Sequence, residues 1–69
     1  KMMEKTFETK YGSVSLRGAM IDVNGTDLVE GVEIKLEGEL VGEVLGRGFS
    51  DVEDMSVADV EEFVAHTIE

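Results

Sequence analysis

A four-stranded antiparallel β-meander, in strand order 1-2-3-4, with one C-terminal helix packed on one face is the α+β architecture this sequence predicts. Three observations carry it. Val32-Glu33-Ile34-Lys35-Leu36 alternates apolar and charged residues without a fault, the period-2 signature of a half-buried strand. Both neighbouring segments can be paired to it so that its apolar face stays apolar. Val57, Val60, Phe63, Val64 and Ile68 recur instead at helical spacing and form one apolar stripe.

The length suits a single domain over residues 1–69, near the lower size at which one core suffices without a staple. The chain has no cysteine, which excludes disulfides and thiolate metal sites, and a cytoplasmic setting is expected of so short a chain without disulfides. No apolar run approaches the roughly 20 residues of a membrane span, and no signal-peptide pattern opens the chain. Lys1 ahead of Met2-Met3 reads as an extra residue before a native start.

The first strand is expected over residues 4–10, with Lys5, Phe7 and Thr9 on one side and Thr6, Glu8 and Lys10 on the other. A turn at Tyr11-Gly12 would pair Lys10 with Ser13, setting Phe7 opposite Leu16 and Met3 opposite Met20. The second strand, residues 13–23, ends at Asn24-Gly25, the strongest hairpin signal in the chain. A two-residue turn there starts the third strand, residues 26–37, in a register that would put Val32 on the wrong face. One extra residue at Glu30-Gly31, a β-bulge, repairs it. Arg17 then lies across from Glu33, Leu16 from Ile34 and Val14 from Leu36. Glu37-Gly38-Glu39 is read as a three-residue connection to the fourth strand, residues 39–45, pairing Leu36 with Leu40, Ile34 with Gly42, Val32 with Val44 and Glu33 with Glu43. The helix, residues 57–68, has Ser56 as N-cap, Asp59 in a capping-box position, and Met55 and Val60 spaced for a hydrophobic staple. Phe7, Leu16, Ile34, Leu36, Val60, Phe63 and Val64 are the expected centre of the core.

Charge is the strongest compositional signal. Sixteen acids against six bases give a net −10, unevenly spread. Residues 1–21 carry four bases and two acids, residues 22–47 seven acids and two bases, and residues 48–69 seven acids with no Lys or Arg. Direct binding to nucleic acid or to an anionic membrane needs a basic footprint that this chain lacks. A basic protein surface would be attracted and steered.

No enzyme constellation emerges, and no cofactor or metal is implied. Gly46-Arg47-Gly48 lacks the third glycine and the strand–helix context of a dinucleotide loop. Asp51-Val52-Glu53-Asp54 lacks the sixth-position glycine and closing glutamate of a calcium loop and reads as solvated loop charge. Glu62, His66 and Glu69 share a helix side, which is most simply a solvated polar face.

Two surfaces remain as contact candidates. The acids Asp51, Glu53, Asp54, Asp59, Glu61 and Glu62 are the expected partner-binding set. Ile21, Val23 and Leu28 would form a secondary apolar patch near the hairpin tip, pointing away from the helix, and edge strand 4 offers a route to a homodimer. The expectation is a small acidic non-enzymatic binding protein, an inhibitor or adaptor engaging a basic surface, for example that of a nucleic-acid-processing protein, as a nucleic-acid mimic. Small acidic anti-restriction and anti-CRISPR inhibitors of phages and mobile elements share this size and charge, though no motif ties the chain to them. The alternative is a structural or self-associating module whose acidity serves solubility or salt adaptation.

Overall fold

A computed structural model describes residues 3–68. Lys1, Met2 and Glu69 lie outside them, and so do the reading of Lys1 as an addition before a native start and the third member of the Glu62-His66-Glu69 group. Strands β1 (Glu4–Thr9), β2 (Gly12–Val23), β3 (Asp27–Leu36) and β4 (Glu39–Leu45) form one antiparallel sheet in the order β1-β2-β3-β4. A short 3₁₀ turn (Phe49–Asp51) and helix α1 (Val57–Ile68) follow. The architecture is the expected meander with its C-terminal helix; the four strands and α1 lie within one residue of their expected bounds, and the 3₁₀ turn is an element the sequence reading did not place.

The two middle strands set the core. Val14 and Leu16 of β2 pair with Leu36 and Ile34 of β3, and Gly18 pairs with Val32. Phe7 of β1 lies opposite Val14, and Val44 of β4 opposite Val32. Over this face α1 lays Val60, Phe63 and Val64, and Val14, Leu16, Val32, Ile34, Val60 and Val64 are fully buried. Ser56 caps the helix as expected, its hydroxyl accepting the Asp59 N–H at 3.1 Å. The apolar stripe is shorter than its spacing predicts. Val57 and Ile68 at its two ends stay about half exposed, and near the C-terminal end it is Thr67, not Ile68, that meets the sheet, its methyl against Gly42.

All three hairpins differ from the sequence reading in where the turn or the extra residue sits. At the first, Thr9 pairs with Gly12, so the turn is Lys10-Tyr11 and not Tyr11-Gly12. The Thr9 hydroxyl accepts the Tyr11 N–H (3.1 Å) and donates to the Gly12 carbonyl (2.8 Å), closing the turn from one side chain. At the second, Asn24 (φ 64°) and Gly25 (φ 76°) take the left-handed values of a tight turn, but Thr26 joins the loop and Val23 pairs with Asp27. The extra residue therefore sits beside the turn, and no bulge exists at Glu30-Gly31; Arg17 still faces Glu33 and Leu16 still faces Ile34.

The third hairpin is the reverse case. Glu37 (φ 52°) and Gly38 (φ 84°) form a two-residue turn that pairs Leu36 with Glu39, not with Leu40. The bulge falls between Ile34 and Lys35, opposite the step from Gly42 to Leu40, and frees Val41 to pack on the core. A left-handed non-glycine residue costs about 1–2 kcal/mol. Two hydrogen bonds offset it at Glu37: its N–H donates to the Ser13 carbonyl (2.8 Å) and its carboxylate accepts the Ser13 N–H (2.6 Å).

The other face of the sheet is not uniformly polar. Arg17 and Glu33 approach to 3.8 Å on it. Ile21 lies over Gly31, where an added Cβ would stand 2.5 Å from the Ile21 Cδ1 and 2.6 Å from the Val44 carbonyl oxygen. Ile21 is consequently buried there, without the helix.

Two substitutions test these assignments. Ile34→Ala is expected to cost about 2–5 kcal/mol, comparable with the whole stability of so small a domain. Gly31→Ala should destabilise by about 1–3 kcal/mol, because its methyl meets a backbone carbonyl that cannot move without opening the β3–β4 ladder. Thermal melts read both, and a Gly31→Ala protein melting with the parent would place Ile21 elsewhere.

Candidate interaction surface

The acidic segment after β4 is a fixed structure, not a loose solvated loop. Phe49, Val52 and Met55 recur every third residue, the period of a 3₁₀ turn. Val52 is fully buried, and Phe49 and Met55 pack against the same core. Phe49 seats on β2 at Gly18, where an added Cβ would come within 2.9 Å of the Phe49 Cβ. Asp51 folds back on Gly48: its N–H donates to the Gly48 carbonyl (3.0 Å) and its carboxylate accepts the Gly48 N–H (2.9 Å). The Lys5 ammonium crosses from β1 to donate to the Glu53 carbonyl at 2.8 Å, which ties the segment to the sheet edge.

The six expected contact acids thereby divide. Asp51 is spent on its own turn. Glu61, half-buried, accepts the Lys10 N–H at 2.7 Å and links α1 to the first hairpin. Glu53, Asp54, Asp59 and Glu62 are exposed, and among the described residues no hydrogen bond or ion pair occupies their carboxylates. They stand on the rigid turn and on the first two turns of α1. Negative charge before and within a helix's first turn is favoured by the helix dipole, so their crowding is partly compensated without any cation.

Ile21, Val23 and Leu28 do not form a patch. With Thr26 in the loop, Leu28 pairs with Asp22 and shares the face of Met20, while Ile21 pairs with Val29 on the opposite face. Ile21 is buried, Val23 half-buried, and Leu28 65% exposed. One exposed apolar surface lies instead on the helix side, beyond the reach of α1. Met3, Gly18, Ala19, Met20, Glu30 and Phe49 line an open groove of about 310 Å³ there. Sequence reading missed this groove because it depends on where the 3₁₀ turn lands.

No protein-family model, curated protein or solved structure matches this chain. Its surface chemistry must be read on its own terms. Among the described residues no group of three or more His, Asp or Glu side chains is disposed to hold a metal ion, and no helix is long and apolar enough to cross a membrane.

The division of the acids is testable by stability alone. Asp51→Ala should cost about 0.5–2 kcal/mol, as loss of a cap does, and Glu61→Ala should lower the melting temperature by freeing the Lys10 N–H. Ala at Glu53, Asp54, Asp59 or Glu62 should change stability by no more than about 0.5 kcal/mol in either direction. Denaturant unfolding of the six variants would reject the division if all six behaved alike.

Proposed function

We propose that this is an acidic, non-enzymatic binding protein that engages a basic surface of a partner through the carboxylates of its helix and of the segment between the 3₁₀ turn and the helix. One observation carries the reading: Glu53, Asp54, Asp59 and Glu62 project from a pinned segment in a stretch, residues 48–69, with no Lys or Arg. Fixed carboxylates on a compact scaffold present charge much as phosphates on a backbone do, which suits the phosphate-binding groove of a nucleic-acid-processing protein in the cytoplasm. Long-range attraction between such surfaces raises the association rate more than the final affinity. Asp51 and Glu61 support the surface by holding its frame.

The groove at Met3, Met20 and Phe49 supports a second, apolar reading, since flexible methionines adapt to varied partners. Salt separates the two. Binding to purified basic DNA- and RNA-processing proteins should weaken sharply between about 0.05 M and 0.3 M salt as the Debye length shortens. Reversal of Glu53, Asp54, Asp59 and Glu62 together to Lys should slow association strongly with the melt unchanged, while any one of them changed to Ala has only a modest effect. Apolar docking gives the opposite pattern, with Met20→Asp abolishing binding and salt making little difference.

A further inference from the structure

We infer that the open edge of β4 takes up one extended segment of a basic partner protein as a fifth strand, with a Lys or Arg beside Glu43 and an apolar residue beside Leu45. The backbone of this edge is available. Gly46 N–H donates to the Glu30 carbonyl at 2.9 Å, which makes Gly46 and Glu30 a hydrogen-bonded pair. Bonded and non-bonded pairs alternate along an antiparallel ladder. Val44 therefore bonds to Val32 and Gly42 to Ile34, whereas the N–H and C=O groups of Glu43 and Leu45 point out of the sheet. Among the described residues nothing else bonds to them.

The side chains say which segment fits. Arg17, Glu33 and Glu43 stand in one row across β2, β3 and β4 on the face away from the helix. Arg17 serves Glu33 at 3.8 Å. Glu43 is exposed, adjoins a second carboxylate and has no cation within 4.0 Å among the described residues. Like charges directly opposed in a sheet are destabilising. Glu4 of β1 lies across from Arg17, so a cation on a fifth strand would complete the row as minus, plus, minus, minus, plus. Leu45, half exposed across from Gly31, and Leu40, also half exposed, flank the position with apolar surface. The recognised pattern is thus an apolar residue, one intervening residue and a Lys or Arg, paired through main-chain hydrogen bonds as in strand addition.

A second copy of this chain is a poor occupant. Matching two β4 edges adds further carboxylates to the Glu33-Glu43 pair and brings together two chains of net charge −10 each. The bulge at Val41 also shortens the regular edge, a common guard against sheet-to-sheet growth.

The inference is independent of the helix surface, and the experiment keeps the two apart. The full ¹⁵N-labelled chain is titrated with a capped heptapeptide, Thr-Val-Thr-Lys-Thr-Val-Thr, and with the same peptide carrying Glu for Lys. With the Lys peptide, the Glu43 and Leu45 amides should shift and exchange about tenfold more slowly; the Glu peptide should do neither. Glu43→Lys, which relieves a like-charge pair and so should fold, is expected to reverse the preference. The variant with Glu53, Asp54, Asp59 and Glu62 all changed to Lys should respond as the parent does. The inference is overturned if neither peptide affects β4, if the response lies on Glu4, Thr6 and Glu8 of the opposite edge, or if Glu43→Lys keeps its preference for the Lys peptide. Loss of the response in the four-fold variant also overturns it, and leaves the helix-surface reading standing.

Discussion

Leu16 and Ile34 face each other at the middle of the sheet, both fully buried, and the rest of the molecule is arranged so that neither leaves that face. In a strand the side chains alternate, so a slip of one residue turns the whole apolar set toward water, while a slip of two returns it to the same face. Burying one large aliphatic side chain contributes about 1.5–3 kcal/mol. With so few of them, a one-residue error anywhere between Val14 and Leu36 would remove a large share of the domain's stability. Face is therefore fixed firmly, and register only modulo two.

That asymmetry explains which parts of the fold were legible. Strand order, element bounds, the helix face around Val60 and Val64, and the Arg17–Glu33 pairing all follow from alternation and helical spacing. The first hairpin slipped by two residues and its core side chains kept their face. The extra residue between β2 and β3 was correctly required, because Val23 and Val32 cannot otherwise be reconciled, but parity does not say where it sits. Its place beside Asn24-Gly25 is a local choice that no pattern over the strands records. At the third hairpin the decision is not local at all: Glu37 holds a left-handed conformation because Ser13, on another strand, bonds its backbone and its carboxylate.

The same reasoning applies to the surface. Asp51, Glu53 and Asp54 looked like loop charge because the acids obscure the spacing of Phe49, Val52 and Met55, which anchors them. Glu61 looked like its exposed neighbours, yet its carboxylate secures the first hairpin. Ile21 looked exposed because a sheet with one helix has one covered face; Gly31 provides a hollow in the other. Each miss involves a contact across the chain, apolar at Phe49 and Ile21 and a hydrogen bond at Glu61. None could be found from periodicity along it.

The distribution of charge bears on why the chain is acidic at all. Adaptation to high salt or simple solubility asks for acids dispersed over the whole surface, and it gives no reason to withhold bases from one segment. Here residues 1–21 carry a net +2 while residues 48–69 carry seven acids and no Lys or Arg. Two of the bases are directed elsewhere: Arg17 to Glu33, and Lys5 to a backbone carbonyl of the acidic segment, not to a carboxylate on it. Lys5 thereby fixes the acidic turn without neutralising it. A sequence under pressure only for stability would gain by turning that ammonium onto Glu53 or Asp54, since each unpaired carboxylate adds to the self-repulsion of a chain at net −10. Rigidity has been supplied to this surface and countercharge withheld from it, the combination that favours an external cation over an internal one.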